Sequence, residues 1–468
     1  MSNQMQRKYG LFTAICMVVG IVIGSGVFFK AQDILKKTGG DMPMGVIAWV
    51  IGGAIMLACL LAFAFMGQKY EKVNGVVDYA EATVGKDYGY MMGWFISTIY
   101  FPAMTSVLAW LTARYTLVFL TSVGMPLGAG SNPVTGPECM VLALFFMALS
   151  YAVNALSPKL AGKVQTSTTV IKLIPLGLMM VVGVVYGLIK GTLADNFAAT
   201  AAVEGVSSSP LFAAVCATAF AYEGWIIATS INSELKDSKK NLPKALVIGG
   251  IVIAAVYIFY YIGVAGGATT SQLINDGAQT AFLNIFGNVF GKILNLFIAV
   301  SCFGTLNGLM LGTSRGMYSV AARGRGPAPK VFGKLDECTD MPSNSCVFAL
   351  AISAAWLVYF YFANLWAGDV NGQSVSWAGK PFAFDSSELP VITIYLMYIP
   401  IFIQWIRKEK KESLVRRFIM PILAIIGSVF MVVAGVFSHR MGCLWYIIVY
   451  AAVMLLGWVL DAPNRKSK

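Results

Sequence analysis

Ile23–Phe29 reads IGSGVFF and lies in the middle of the first long apolar run of the chain. Two glycines and a serine are poor helix residues. A segment long enough to cross a bilayer therefore interrupts itself halfway. Backbone groups freed at membrane depth are tolerated only where they are buried in protein or line a cavity. Small residues in a span also serve close helix packing, so this stretch has to be weighed against the rest of the chain.

The chain has 468 residues, 57% hydrophobic and only 12% charged, against roughly 25% charged in soluble domains. Apolar stretches of about 20 residues, each able to span a hydrocarbon core, recur along the whole length. The expected fold is all-α integral membrane, because lipid-facing backbone must satisfy its own polar groups. The alternating ten-residue segments of a β-barrel do not occur. Twelve spans are predicted, at about 11–36, 44–66, 88–121, 138–156, 164–189, 209–233, 244–268, 284–322, 345–364, 387–406, 417–437 and 442–460. Arg7 and Lys8 before an apolar run mimic a signal peptide, but the run continues and more spans follow.

Most of the 34 Lys and Arg fall at the N-terminus, in the even-numbered loops and at the C-terminus, whereas Lys30, Lys36, Lys37, Lys190, Lys380 and Arg440 mark the opposite side. By the positive-inside rule both termini are cytoplasmic in a multi-pass protein of the cell (inner, plasma) membrane. The net charge of +12 is thus a topology signal spread over many segments, and no nucleic-acid partner is expected. The lipid bilayer is a partner, through segments such as RKEKK after span 10. The eight cysteines lie mostly within spans and the single histidine is His439. No metal site and no cofactor is expected. No linker divides residues 1–468, so one polytopic domain is expected.

Of the 22 Asp and Glu, Glu223 alone falls near the middle of a span, in FAYEGWII. An acid there costs about 2.5–3.5 kcal/mol on insertion scales. Ionisable groups at that depth mark substrate or ion paths by default, with a packing role as the alternative. Beside it, Gly224 with Tyr222 and Trp225 makes a second expected break, in span 6. Breaks five spans apart fit two five-helix repeats, the second inverted, at about 11–189 and 209–406, followed by accessory helices at about 417–460. Interrupted helices at matching repeat positions point to a site at the midplane. The half-helix beginning near Val27 offers N–H groups and a positive dipole end to a carboxylate. The half ending near Ile23 offers carbonyls to an ammonium. Together they suit both ends of an α-amino acid.

GIVIGSGVFF, VQTSTTVIKLIPL, FAYEGW and SCFGTLNGLMLGTSR resemble the L-amino-acid transporter branch of the amino acid–polyamine–organocation (APC) superfamily, including its bacterial serine/threonine-type exchangers. The resemblance covers essentially the whole chain. It implies a LeuT-like fold of 5+5 inverted repeats with helices 1 and 6 broken, plus helices 11 and 12. It also implies sodium-independent transport of amino acids, usually by exchange. The family's carboxylate site falls on Ser25 and Gly26, with Gly24 permitting the break. Its ammonium site falls on carbonyls of Val22 or Ile23 and of Phe220, Ala221 and Glu223, beside Gly224. Phe220 matches the aromatic gate. Many animal members have glycine where this chain has Glu223. No heavy-chain partner is expected of a bacterial-type member.

Lys172 lies about nine residues into span 5, too deep for easy snorkelling. The resemblance sets its ammonium near Thr305 and the break of helix 1, where sodium sits in sodium-coupled relatives. A tethered cation would explain sodium independence, and proton coupling through the same lysine is the other reading. Asn307 and Ser301 are candidates for the site or for polar contacts between helices. The outer loop 365–386, with Trp366, Trp377 and Phe382, either covers a vestibule or lies at the interface. The expected function is alternating-access exchange of small or medium neutral L-amino acids. Alternatives are a cationic amino-acid or polyamine antiporter, a proton-coupled symporter and a non-transporting amino-acid sensor. A membrane-embedded enzyme lacks its constellation, because one midspan acid stands without a midspan His.

Overall fold

The structure, a computed structural model, describes residues 10–70, 75–125, 132–198, 209–226, 235–339, 341–370 and 373–465. Among these, ten helices are long and apolar enough to cross a membrane. The first and sixth predicted spans are the exceptions, because both are interrupted. The first is α1 (Leu11–Val22) followed by α2 (Ser25–Lys37). The continuous spans before the sixth are α3 (Met42–Lys69), α4 (Lys86–Ser122), α5 (Pro137–Leu156) and α6 (Leu160–Lys190). The sixth begins as α7 (Pro210–Ala221), and residues 227–233 of that predicted span lie outside the described residues. Then come α8 (Ser238–Gly267), α9 (Ala278–Ala321), α10 (Ser343–Leu365), α11 (Leu389–Lys408), α12 (Val415–His439) and α13 (Met441–Leu460).

Two features depart from the expected layout. Lys30, Lys36 and Lys37, read from their charge as marking the side opposite the termini, all lie on α2, and Lys30 is buried. The outer loop carries the antiparallel pair β1 (Ala367–Val370) and β2 (Gln373–Ser376), with Ala367 opposite Ser376.

The chain forms two compact units, each assembled from three segments. The first takes Met1–Gly89, Leu176–Ile285 and Val391–Ser438; the second takes Tyr90–Pro175, Phe286–Pro390 and His439–Lys468. Boundaries fall inside helices, next to Gly89, Pro175, Pro390 and the kink of α9 at Gly287 (φ 74°). These are points where a helix loses a hydrogen bond or a side-chain constraint.

Small residues hold each unit together. In the first unit, Gly183 and Gly187 on α6 meet Gly263 and Gly266 on α8 so closely that a Cβ on Gly187 would lie 2.4 Å from the Gly266 Cα. In the second, Gly304, Gly308, Gly312 and Gly316 recur every fourth residue along α9 and so share one face. That stripe faces Thr168 and Gln165 of α6 and Phe101 and Ser97 of α4. Helices in lipid gain no hydrophobic drive from meeting one another, so close approach through small residues supplies the attraction.

Candidate functional site

The first break is a two-residue link. α1 ends at Val22, after which Ile23 (φ −68°, ψ 100°) and Gly24 (φ −137°, ψ −148°) run extended before α2 begins at Ser25. The last carbonyls of α1 are left without intrahelical donors and the first N–H groups of α2 without intrahelical acceptors. A negative and a positive helix end are thereby opened side by side.

The second break follows α7. Tyr222 has φ −83° and ψ 0°. Gly224 has φ +104°, a backbone that glycine adopts without strain, and helical structure resumes at Trp225. Tyr222 anchors the link by donating its hydroxyl to the Trp49 carbonyl at 2.9 Å.

The two breaks meet inside the first unit. A Cβ on Gly26 would lie 2.7 Å from the Ala221 Cα, so the start of α2 rests on the end of α7 with no room for a side chain. Tyr257 on α8 ties the same ends together. Its hydroxyl is 2.8 Å from the Val22 carbonyl oxygen and 3.0 Å from that of Ala221. One hydroxyl proton serves one acceptor at a time, and each carbonyl has two lone pairs. Both carbonyls therefore keep capacity for a further donor such as an ammonium. Trp49, Tyr222 and Tyr257 form an aromatic cluster behind the link, with centroids 5.1–5.5 Å apart.

Of the residues singled out from sequence, Val22, Ile23, Gly24, Gly26, Phe220, Ala221 and Glu223 are all buried in this unit. Ser25 opens α2 with its backbone. Phe220 packs edge-on against Phe29 at 6.3 Å, and the Lys30 ammonium lies 5.5 Å from its ring centroid. Lys30 also pairs with Asp33 at 3.1 Å, and Lys37 reaches the same carboxylate at 3.3 Å. Two ammonium groups thus reach the same carboxylate. Glu223 has Tyr395 and Tyr398 of α11 and Cys59 of α3 as neighbours in the same unit.

Lys172 and Thr305 belong to the second unit, on α6 and α9. Lys172 is fully buried, with Cys302 as an electrostatic neighbour. The two helices approach closely at Thr168 and Gly304, where a Cβ on the glycine would lie 2.2 Å from the Thr168 hydroxyl. Asn307 joins helices: Asn154 Nδ2 donates to its Oδ1 at 2.9 Å, and Asn307 Nδ2 donates to the Ala161 carbonyl at 3.2 Å.

Tyr257 and Lys30 are the residues that sequence reasoning missed. The first sits in an apolar run, YIFYYIG, where one tyrosine resembles any other; the second resembles a flanking charge. Asp385, Glu388 and His439 also come together, with potential ligand atoms within 4.8 Å of one another. Asp385 Oδ1 there accepts the Ser387 and Glu388 N–H groups at the start of α11. A helix start favours negative charge and disfavours a cation.

A helical membrane protein with two interrupted helices, whose open ends converge in a buried cluster, has a LeuT-like fold. The solved structure of MhsT in complex with L-phenylalanine shares the fold, with a TM-score of 0.62 and 14% identity over 92% of this chain and 99% of that one. The chain belongs to the amino acid permease family of the APC superfamily, whose profile matches residues 9–460. It is accordingly a multi-pass amino-acid transporter and not an enzyme. The serine/threonine exchanger SteT of Bacillus subtilis (strain 168) is 30% identical over 94% of each chain. The large neutral amino acids transporter small subunit 2 of Oryctolagus cuniculus is 27% identical over 72% of this chain and 62% of its own length. The Asc-type amino acid transporter 1 of Mus musculus is 26% identical over 72% and 63%.

Proposed function

We propose that the protein exchanges small or medium neutral L-amino acids across the cell's inner (plasma) membrane, independently of sodium, as one transport domain with both termini cytoplasmic and no heavy-chain partner. The observation that carries this reading is the junction at Gly26, Ala221 and Tyr257. It gathers a positive helix end and two carbonyls with spare acceptor capacity in one buried place, which suits a zwitterion. The names of the relatives, a serine/threonine exchanger, a large neutral amino acids transporter and an Asc-type transporter, support exchange of neutral substrates. Lys172, buried in the second unit, is assigned the place of a coupling cation, with Thr305 beside it.

Counterflow in proteoliposomes tests this directly. Serine, alanine or larger neutral amino acids should exchange, and choline in place of sodium should leave the rate unchanged. Strict dependence on a sodium gradient would refute the role given to Lys172, as would a Lys172→Ala protein with normal exchange.

One observation favours a second reading, a carrier of basic amino acids or polyamines. Glu223 is a buried carboxylate within the second break. Under that reading Glu223→Gln should weaken ornithine or diamine exchange by about ten- to a hundred-fold, the worth of a charged hydrogen bond of about 1.5–3 kcal/mol. Serine exchange would be spared. Under the neutral reading basic substrates do not compete at all.

A further inference from the structure

Within the first unit, α2 meets a short helix, Thr270–Asp276, that follows α8 on the side the charge distribution assigns to the outside. Seven residues are too few to hold a helix in isolation, so neighbours have to fix its ends. At its start, Thr269 and Gln272 form a capping box. Asn196, from the helix Thr192–Ala198, ties that start to the end of α8. Its Nδ2 donates to the Ala265 and Ala268 carbonyls at 2.7 and 2.8 Å. Its Oδ1 accepts the Thr270 N–H at 3.0 Å and the Thr270 hydroxyl at 2.9 Å. Two hydrogens and two lone pairs are all that an amide side chain offers, and Asn196 is buried. The short helix is thus a plate fixed to α8.

The other end of the plate is held by α2. The last carbonyls of a helix lack intrahelical donors, and here Gln32 supplies them. Its Nε2 donates to the Ile274 carbonyl at 2.9 Å and to the Asn275 carbonyl at 3.2 Å. Gly277, at φ +69°, ends the plate, and a Cβ on it would lie 3.1 Å from Gln32 Oε1. Ala31 and Leu35 of α2 and Leu273 of the plate line a cavity of about 10 Å3 beside this contact, about the least that holds one water. Leu35 and Leu273 are only 1% and 2% exposed. α2 is therefore packed on the plate as well as bonded to it.

The two sides of the contact differ in freedom. The plate is clamped through Asn196. α2 follows α1 through the extended pair Ile23 and Gly24, a link of the kind that serves as a hinge. If α2 left the plate, both carbonyls would lose the Gln32 amide.

We propose that Gln32 is a latch, a positioning residue that holds α2 docked on the plate. Gln32 lies two turns, about 10 Å, from the start of α2 at Ser25. On the reading that this start opens the substrate site, the latch sets the fraction of the protein whose site is assembled. Apparent affinity scales with that fraction, whereas steps that need α2 to leave the plate are not slowed by releasing it.

Two readouts on the full chain in proteoliposomes test the latch. The first needs no substrate. Leu35→Cys is reached by a small methanethiosulfonate from outside while α2 is off the plate, and protein with Leu35 intact gives the background. Ala31→Cys, one turn earlier on the same face, is the second reporter if the first does not insert. Gln32→Met, close in shape but without the amide, should raise the modification rate about tenfold. Gln32→Glu, which sets a carboxylate against two carbonyls, should raise it further. The second readout is counterflow of a neutral amino acid. In Gln32→Met the half-saturating concentration should rise about three- to tenfold while the maximal rate stays level or increases. An unchanged modification rate in both Gln32 variants would overturn the latch, as would a loss confined to the maximal rate, the mark of a purely structural role. Faster modification with an unchanged half-saturating concentration would uphold the latch and refute the start of α2 as the substrate site.

Discussion

At the break between α1 and α2 both linking residues have negative φ, −68° at Ile23 and −137° at Gly24. At the break after α7, Gly224 sits at φ +104°. Each break contains glycine, and each uses it differently. In the first, the glycine that matters most structurally is Gly26, one residue into α2, where the neighbouring helix end leaves no space for a Cβ. In the second, it is Gly224, whose backbone conformation L-residues rarely adopt. The first break depends on packing and the second on torsion. Substitutions that look alike should therefore fail in different ways.

The largest effect is expected at Gly26. Even alanine would place a Cβ 2.7 Å from the Ala221 Cα, and overpacking of this kind costs about 1–3 kcal/mol. Gly26→Ala should lower exchange by about ten- to a hundred-fold, and Gly26→Leu should abolish it while the span, still apolar, inserts normally. Membrane-inserted, monodisperse Gly26→Leu protein that exchanges normally would show that the meeting of the two helix ends is not the transport site.

A smaller effect is expected at Gly224. Alanine there carries torsional strain on the order of 1–3 kcal/mol in a link already held by the Tyr222 hydroxyl. Gly224→Ala should lower thermal stability in detergent and reduce exchange by about tenfold. Unlike Gly26→Ala, it should be partly rescued by substrate, which stabilises the state it binds. Equal loss and no substrate rescue in both variants would erase the distinction between packing and torsion.

How much of this was visible in the residue order follows from what each feature costs. Glycine, serine and a carboxylate at mid-depth are expensive in lipid, so IGSGVFF and FAYEGW stood out, and both helices are interrupted at those residues. The glycines of SCFGTLNGLMLGTSR are spaced for one helix face, and that face packs on α4 and α6. Tyr257 carries no such signal, because its role rests on two carbonyls 235 and 36 residues away in sequence. Lys30 was hidden by its position near a span end, where lysine ordinarily reaches water. The placement of Phe382 and Phe384 in the outer loop depends on contacts with Tyr359 and Asn364 that no local pattern announces.

Tyr257→Phe sets the lower end of the scale and tests the contact that joins the two breaks. The substitution keeps the ring, and with it the packing on Trp49 and Tyr222. It removes only the hydroxyl that reaches Val22 and Ala221. A hydrogen bond of this kind contributes about 0.5–1.5 kcal/mol net, so the half-saturating substrate concentration should rise about two- to tenfold. The maximal exchange rate should change less, because the helix ends remain packed at Gly26. Since the hydroxyl bridges one carbonyl from each break, the loss should shrink in a Gly26→Ala background, where the two ends are already forced apart. The double-mutant cycle reads this as non-additivity. Strict additivity would mean that Tyr257 supports each helix end separately and does not link them.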